Sequence, residues 1–397
     1  MSTSFNKETD RSEDRFSASG LRRRVLILTG VYLPGFRGGG PIRSLRNLQE
    51  QFRGEIDFDV ITGDRDLGDT APYPEVEVGK WNTVAGQQVF YVRPGLKGLA
   101  ETWQALRSSP HDLLYLNSFF SVRTTTWSLL LRTLHLIPRR PVVLAPRGEF
   151  SQGALGLKSV KKEIFLRILR ASPLLRGVTF QATSSGEVVD IHRSLGPVDV
   201  VEAPNLGAPT QPVKRPARPI GPLRVAFVGR VNRMKNLDYA LRVIRDAKYP
   251  LEFSIVGPHE DTKYWEECRS LIATLPAHIK VQVIGPVTPA EVADIFLNHD
   301  VLLLPTLGEN FGHVIAEALT HGCIPLISDR TPWQNLEEKG CGYVFPLEQP
   351  ERFTAVLNQL TGPHAELETL AAAAVNYGLA VAADPTGMQK NRALFGW

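Results

Sequence analysis

The chain of 397 residues alternates short apolar runs with segments whose apolar positions recur at helical spacing. Several of the runs are apolar throughout, as parallel strands are when helices cover both faces of their sheet. In the first half we predict strands at 24–30, 58–63, 88–93, 112–117, 141–147, 178–184 and 198–205. In the second half we predict them at 223–230, 251–257, 280–285, 300–305 and 324–329, with helices beginning near Asn236, Thr262, Pro289 and Gly312. This strand–helix–strand repetition predicts an α/β protein with two Rossmann-like, doubly wound domains.

Prolines separate the two halves of the chain. Six of them fall between 204 and 222, which favours a stiff, extended linker. We therefore expect a polar, disordered tail at 1–23, a first domain at 24–204, a linker at 205–222 and a second domain at 223–383. Because ligands of such sheets bind beyond the carboxyl ends of the strands, both domains can face one cleft between the lobes.

The overall composition excludes several classes of protein. Hydrophobic residues make up 43% and charged residues 22%, which is ordinary globular usage and not that of a fibrous or disordered chain. No apolar run approaches the roughly 20 residues that a membrane-spanning helix needs, and no apolar stretch follows the N-terminus as in a secretory signal. The three cysteines lack the spacing of a zinc site or a disulfide scaffold. We therefore expect a cytoplasmic protein.

The basic charge is concentrated in one segment. The chain has 45 basic and 41 acidic side chains, a net charge of +4, yet residues 139–176 hold nine basic and two acidic ones, a net +7. Within this segment, 156–175 has the pattern of a basic amphipathic helix, which either packs on its sheet or lies on an anionic membrane. In either case its charge could attract the inner face of the cell membrane or a lipid-diphosphate acceptor. Recognised nucleic-acid motifs are missing, so nucleic acid is not an expected partner.

A glycine-rich loop follows the first predicted strand, in the sequence FRGGGPIRS (36–44). Gly39 and Gly40 would let the backbone approach a ligand, and Pro41 is favourable in the first turn of a helix. Arg43 lies in that turn, where a helix N-terminus attracts anions. The loop is either a sugar or anion site or a tight turn between strand and helix. It matches neither the dinucleotide-binding motif nor the P-loop.

Two charged clusters follow strands of the second domain. Arg230 ends one strand and Lys235 precedes the next helix, so both could bind a pyrophosphate, or both could be solvated surface cations. After the strand at 300–305, Glu309 lies in a loop and Glu317 falls in the second turn of the helix that begins near Gly312. Two carboxylates at the start of such a helix suit the vicinal hydroxyls of a sugar and a ribose.

Together, these motifs resemble glycosyltransferase family 4, the retaining "group 1" enzymes with the two-lobed GT-B fold. The segments that carry the resemblance are G-R-x4-K-N at 229–236, E-N-F-G-x4-E at 309–317, the glycine loop, APRGEF at 145–150, GAL at 153–155 and DRTPW at 329–333.

The resemblance implies a division of roles between the lobes. The C-terminal lobe would hold a nucleotide-diphosphate-sugar donor, with Arg230 and Lys235 on the diphosphate and Glu317 on the ribose. Glu309 would hold the transferred sugar together with Asn310, Phe311 and Gly312. Side chains on the N-terminal lobe would bind the acceptor or the sugar, and the last helix, at about 384–397, would return to that lobe. Those acceptor-side residues are Gly39, Gly40, Arg43, Asn117 and Arg147.

Five residues test how far the resemblance holds. Many relatives carry a histidine at the end of the fourth strand, where this chain has Asn117, which cannot titrate. We expect His111, just before that strand, to lie on the surface. Asp57 and Asp59 form a DxD pattern at the wrong end of a strand for a metal site, so no metal is expected. His313 opens the helix after Gly312 and faces either the cleft or solvent.

These patterns predict a retaining, metal-independent hexosyl transferase that uses a UDP- or GDP-linked sugar and no cofactor. The acceptor would be a glycan or a lipid-linked sugar in cell-surface or exopolysaccharide synthesis. One alternative is a nucleotide-sugar epimerase or hydrolase on the same fold. The other is a non-enzymatic, two-lobed sugar-binding protein.

Overall fold

Two predominantly parallel sheets organise the computed structural model, which describes residues 22–151, 159–213, 215–216, 221–361 and 364–396. The predicted tail at 1–23 falls outside the described residues except for its last two positions. The GAL segment at 153–155 and part of the predicted linker also lie outside them. None of the described helices is long and apolar enough to cross a membrane.

The N-terminal lobe contains an eight-stranded sheet in the order β3-β4-β2-β1-β5-β6-β7-β8. Its strands are β1 (Arg23–Leu28), β2 (Ile56–Gly63), β3 (Trp81–Val84), β4 (Gln87–Val92), β5 (Leu113–Asn117), β6 (Val142–Ala145), β7 (Val178–Ala182) and β8 (Asp199–Glu202). All neighbours are parallel except β3, which forms an antiparallel hairpin with β4. The sequence did not predict β3, because the strand is short and only partly buried and therefore lacks a continuous apolar run.

The C-terminal lobe contains a six-stranded, fully parallel sheet in the order β11-β10-β9-β12-β13-β14. Its strands are β9 (Leu223–Val228), β10 (Leu251–Val256), β11 (Ile279–Gly285), β12 (Val301–Leu304), β13 (Ile324–Ser328) and β14 (Tyr343–Phe345). The β12 run of one valine and three leucines is completely buried, which explains its lack of polar alternation. The three-residue β14 was not predicted either.

Helices cover both sheets. They are α1 (Gly40–Gln51), α2 (Leu96–Ser108), α3 (Trp127–Thr133), α4 (Ser159–Ala171), α5 (Ser185–Leu195), α6 (Leu237–Arg245), α7 (Thr262–Ile272), α8 (Pro289–Asn298), α9 (His313–Thr320), α10 (Pro350–Leu360), α11 (His364–Ala382) and α12 (Pro385–Leu394). The four helix starts predicted in the second half are confirmed to within one residue. The predicted fold class, two doubly wound α/β lobes, is likewise confirmed.

Strand order places the chemistry-bearing loops next to one another. In each sheet the order reverses at the first strand of the lobe, between β1 and β5 and between β9 and β12. Crevices form at such switch points, beyond the carboxyl ends of the strands. The glycine-rich loop follows β1 and Asn117 ends β5, while Arg230 follows β9 and Glu309 follows β12. Topology thus brings both groups of candidate residues to the edges where ligands bind.

The C-terminal helix α12 packs on the N-terminal lobe. The buried ring of Phe395 makes edge-to-face contacts with Phe52 and Phe58, each at 6.0 Å between centroids. Arg392 donates to both carboxylate oxygens of Glu55, at 3.0 and 2.8 Å. The chain therefore crosses between the lobes twice.

The described part of the linker is hydrogen-bonded to both lobes. On the N-terminal side, Asn47 donates to the carbonyl of Leu206 at 2.9 Å. On the C-terminal side, Arg215 donates to the carbonyls of Gly322 and His299 and forms an ion pair with Asp300.

Candidate functional site

A cavity of about 330 Å³ lies between the two lobes, within the range typical of small-molecule sites. Residues of both lobes line it, so each sheet's switch point contributes one wall. All of the predicted site residues except Asn117 line this cavity: Gly39, Gly40, Arg43, Arg147, Arg230, Lys235, Glu309, Asn310, Phe311, Gly312 and Glu317.

Two cations lie on the C-terminal wall, as their spacing in the sequence suggested. The Lys235 ammonium contacts the carboxylate of Glu309, and only 15% and 13% of these two side chains are exposed. Arg230 donates to Glu260 at 2.9 Å, and Asn232 donates to the other oxygen of that carboxylate at 2.7 Å. Burial lowers the pKa of Lys235 to about 8, and the Arg230 guanidinium acts in the same direction.

The loop that carries Glu309 is held in place by its neighbours. The backbone amide of Glu309 donates to the carbonyl of Arg330 at 3.0 Å, and the Trp333 indole donates to the carbonyl of Phe311 at 2.6 Å. Gly312 ends the loop in the left-handed region, at φ 78°, and a side chain there would press on Ile315. The α9 helix then begins with no side-chain cap, and the residues at its start, 312–314, line the cavity.

Glu317 forms an ion pair across the cleft. Its carboxylate lies 2.5 Å from the guanidinium of Arg43 on α1, and about a quarter or less of each side chain is exposed. Burial raises the pKa of Glu317 to about 7, although the Arg43 charge acts in the opposite direction. Glu317, the residue predicted to bind the ribose, is therefore paired with an arginine of the N-terminal lobe.

His313 faces the cleft and not solvent, which settles the alternative left open by the sequence. Its Nε2 lies 2.7 Å from the hydroxyl of Ser44, and its ring packs against Phe311 at 4.6 Å between centroids. Burial, together with the charges of Arg43 and Arg147, lowers the pKa of His313 to about 3. The imidazole is therefore neutral near pH 7 and adds no positive charge to the cavity.

A third contact across the cleft involves the loop after β7. The hydroxyl of Thr183 lies 2.8 Å from the side-chain amide oxygen of Asn310. The buried carboxylate of Glu187 accepts from the backbone amides of Thr183 and Gly148, at 2.8 and 2.6 Å. This carboxylate fixes two loops of the N-terminal lobe where they meet the Glu309 loop.

Asn117 lies behind the cavity wall and not on it. The side chain is buried, and its oxygen accepts from Nε of Arg147 at 2.8 Å. Arg147 itself lines the cavity. A direct contact between Asn117 and a sugar therefore stays a prediction, whereas the hydrogen bond shows that Asn117 orients the side chain of Arg147.

Three residues considered in the sequence analysis lie away from the cavity. His111 was expected on the surface, which is wrong: it is buried, and its Nδ1 bonds to the carbonyl of Ser109 at 2.8 Å. Asp57 and Asp59 lie in the first half of β2, at the end of the sheet away from the cavity. Among the described residues, no three histidine, cysteine or acidic side chains group as metal ligands.

The basic side chains of the segment at 139–176 do not share one surface. Arg147 faces the cavity, whereas Arg167 and Arg170 lie exposed on α4. The side chains of Lys158 and Lys161 lie outside the described residues.

Sequence reasoning missed the residues that support the site. They are scattered over the chain, and each is an ordinary polar residue with no spacing signal: Ser44, Tyr115, Gln181, Thr183, Glu187, Asn205 and Glu260.

Comparison with known proteins identifies the family of the C-terminal lobe. Residues 212–374 match the model of the family described as "Glycosyl transferases group 1". No curated protein sequence matches the chain significantly.

Solved structures share the whole fold at low sequence identity. A sucrose-phosphate synthase from Thermosynechococcus elongatus is similar with a TM-score of 0.73 and 16% identity, over 94% of this chain and 99% of that one. The Anabaena protein HepE, solved in complex with UDP and glucose, has a TM-score of 0.68 and 16% identity, over 95% and 100%. WaaG, a glycosyltransferase involved in lipopolysaccharide biosynthesis, has a TM-score of 0.64 and 15% identity, over 94% and 100%.

The resemblance stated from the motifs is thus confirmed. The motifs at 229–236 and 309–317 both fall inside the matched segment, and the two-lobed architecture is that of the structural neighbours. Over residues 212–374 the chain thus matches the group 1 glycosyltransferases, and the chain as a whole has the two-lobed fold of the solved structures.

Proposed function

We propose that this protein transfers a hexosyl group, with retention of anomeric configuration, from a nucleotide-diphosphate-sugar to an acceptor hydroxyl. The observation that carries the proposal is the composition of the cavity. One wall presents Arg230, Lys235 and the two glutamates of the 309–317 motif, and the other presents the glycine loop and Arg147. One solved neighbour is described as a complex with UDP and glucose, which supports the same class of donor.

The donor would bind on the C-terminal wall. Arg230 and Lys235 would contact the diphosphate, because a guanidinium fork and an ammonium together suit two linked phosphates. Glu317 would accept from the ribose hydroxyls, and Glu309 with the 310–312 backbone would hold the transferred sugar. Since both glutamates now contact cations of the protein, binding would exchange those contacts for contacts to the ligand.

The chemical step needs no covalent intermediate. The acceptor oxygen would attack C1 of the sugar from the side on which the diphosphate leaves. The bond from C1 to the acceptor oxygen forms, and the bond from C1 to the phosphate oxygen breaks. The hydroxyl proton passes to an oxygen of the departing diphosphate, whose charge is stabilised by Arg230, Lys235 and the amides at the start of α9.

We propose that the reaction is independent of metal ions and needs no cofactor, since two side-chain cations can balance the diphosphate. Activity that survives EDTA would support this. Activity that is abolished by EDTA and restored by Mn²⁺ or Mg²⁺ would overturn the assignment of Arg230 and Lys235.

The proposed donor is UDP- or GDP-linked, and the proposed acceptor is a glycan or a lipid-linked sugar of cell-surface or exopolysaccharide synthesis. The test is a panel of UDP-, GDP- and ADP-sugars, followed by thermal shift and slow donor hydrolysis, and then by product analysis with acceptors. NMR of the product's anomeric centre separates retention from inversion. Complete conversion of donor without any acceptor would instead indicate the epimerase or hydrolase.

Contact with an anionic membrane is a second proposal, carried by α4. Ile164 and Ile168 are 54% and 63% exposed one turn apart, beside exposed Arg167 and Arg170, whereas Leu166 and Leu169 are buried in the lobe. An apolar ridge flanked by basic residues suits an interfacial helix. We expect the protein to sediment with vesicles of phosphatidylglycerol and phosphatidylcholine, and Ile164→Ser/Ile168→Ser to release it. Equal sedimentation of the variant would remove α4 from that interface.

A further inference from the structure

Arg147 has an unusual backbone and a fixed side chain. It follows β6 with φ at 57°, in the left-handed region that residues with a Cβ rarely adopt. Such conformations cost of order 1–3 kcal/mol and cluster at functional sites, where the surrounding structure holds them. Here Arg147 lines the cavity as part of its N-terminal wall.

Three neutral oxygens from separate parts of the lobe hold that guanidinium. Nε donates to the amide oxygen of Asn117 at 2.8 Å, one Nη donates to the hydroxyl of Tyr115 at 2.7 Å, and the other Nη donates to the amide oxygen of Asn205. Tyr115 in turn donates to Gln181, whose amide donates to the carbonyl of Ala203 at 2.8 Å. All of these supporting side chains are buried.

This network leaves part of the guanidinium unused. Arginine has five N–H donors, and the three hydrogen bonds occupy three of them. One N–H on each Nη therefore remains for a ligand. Two donors fixed in one plane are the arrangement that binds a carboxylate or a phosphate through two oxygens.

The charge of Arg147 also differs from that of its neighbours on the cavity wall. Arg37 is paired with Asp69, Arg46 with Glu50 and Arg43 with Glu317. Arg147, in contrast, forms no ion pair with any carboxylate of the described residues; the nearby Glu187 uses its oxygens on Thr183 and Gly148. A partly buried cation held only by neutral groups is less well stabilised than one paired with a carboxylate, so an anionic ligand would stabilise it.

We propose that Arg147 binds an anionic oxygen group, a carboxylate or a phosphate, carried by a sugar substrate. The inference rests on the proposed glycosyl transfer and narrows its substrate class. The diphosphate of the donor is not the anion meant, since its proposed ligands Arg230 and Lys235 lie on the opposite wall. The anionic group belongs either to the acceptor or to the transferred sugar, and the two sources are separable by experiment.

The test compares each anionic sugar with its neutral parent. In the acceptor arm, hexose 6-phosphates and hexuronates of gluco, galacto and manno configuration are titrated, with the free hexoses as references, into protein saturated with UDP or GDP. In the donor arm, UDP-glucuronate is compared with UDP-glucose. We expect an anionic member to bind at least tenfold more tightly than its neutral parent, and the arm in which this occurs identifies the source.

Three variants assign the preference to Arg147. Arg147→Gln should abolish it, Arg147→Lys should retain part of it, and Arg46→Gln should retain it fully, because Arg46 lies on the same wall but is already paired with Glu50. Thermal unfolding of each variant shows whether it is folded, and the lysine variant keeps the test valid if the glutamine variant is not.

Two outcomes would overturn the inference. One is equal binding of anionic and neutral sugars by the wild type in both arms. The other is an anionic preference that persists in Arg147→Gln. Affinity for UDP and GDP alone distinguishes these outcomes from failure of the proposed function: Arg147→Gln should leave it unchanged, whereas a wild type that binds no nucleoside diphosphate would contradict the donor site itself.

Discussion

The two walls of the cleft differ in how one of their cations is held. On the C-terminal wall, cations and carboxylates neutralise one another, as Lys235 does with Glu309 and Arg230 with Glu260. On the N-terminal wall, Arg147 is surrounded by neutral oxygens and keeps its charge exposed to the cavity. Lys235 and Arg230 thus have carboxylate partners, whereas Arg147 has none among the described residues.

The two walls should therefore bind their ligands in different ways. A ligand on the C-terminal wall must replace internal ion pairs, so its affinity depends on the protonation of the groups it displaces and on the replacement contacts. A ligand on the N-terminal wall meets a guanidinium that is already oriented, so little ordering is lost on binding. We therefore expect affinity at the C-terminal wall to vary with pH. Affinity at the N-terminal wall should depend instead on the hydrogen bonds that orient Arg147.

The largest expected effect distinguishes the two glutamates of the C-terminal wall. Glu309→Gln should lower kcat about 10²-fold, the order of loss seen when one oriented group that stabilises a transition state is removed, and should leave affinity for UDP or GDP nearly intact. Glu317→Gln should weaken the free nucleotide, because its proposed contacts are to the ribose. Calorimetry beside transfer rates measures both. Nucleotide affinity lost in Glu309→Gln and kept in Glu317→Gln would reverse the two assignments.

Next in size is the loss of the diphosphate cation. Lys235→Ala should weaken nucleoside-diphosphate binding by about 1.5–3 kcal/mol, the range for a hydrogen bond to a charged group, which corresponds to roughly 10- to 150-fold in Kd. Arg233→Ala is the matched control, since Arg233 is exposed and paired with Glu267 outside the cavity lining. Equal affinity of Lys235→Ala and wild type for UDP, GDP and ADP would remove Lys235 from the site.

The dependence of donor affinity on pH should be bell-shaped, with its maximum between about 7 and 8. Below about 7, protonation of Glu317 removes a carboxylate acceptor, and above about 8, deprotonation of Lys235 removes a cation. Each limb should approach tenfold per pH unit. An intact nucleotide-sugar is the right probe, because the terminal phosphate of a free nucleoside diphosphate itself titrates near pH 6, as phosphate monoesters do.

Variants identify the two limbs. Glu317→Gln should flatten the acid limb, and Lys235→Arg should flatten the alkaline limb. Arg43→Gln should move the acid limb to higher pH, since the Arg43 charge lowers the pKa of Glu317. Arg46→Gln should leave the profile as it is. A profile unchanged by all three site variants would show that other groups titrate.

A smaller effect is expected from a hydrogen bond between the lobes. Ser44→Ala removes the hydroxyl that bonds to His313 and should lower the free energy of unfolding by about 0.5–1.5 kcal/mol. Ser270→Ala, whose hydroxyl is exposed and bonds within its own helix, should change it by less than about 0.5 kcal/mol. Chemical denaturation measures both. A Ser44→Ala chain as stable as wild type would mean that this contact does not hold the lobes together.

The sequence predicted most of the sheet because the buried parallel strands are apolar runs that need no tertiary information. It missed β3 and β14, which are short and lack the long apolar pattern of the central strands. It wrongly placed His111 on the surface. This residue lies just before β5, and periodicity does not show whether the fold covers a loop residue. Within the site, Arg230 and Lys235 were predictable because a strand end and the following helix start are fixed by local sequence.

The chain's own sequence thus determined the two-lobed α/β fold, the resemblance to a family, and those charged residues of the C-terminal wall that lie within the motifs at 229–236 and 309–317. Only the tertiary structure decided which charges are satisfied. The pairing of Arg43 with Glu317 joins residues 274 positions apart on different lobes. The support of Arg147 joins Tyr115 and Asn117 of β5 to Asn205 beyond β8, segments that only the fold brings together. Contacts between distant segments follow from strand order and lobe packing, and no local spacing encodes them.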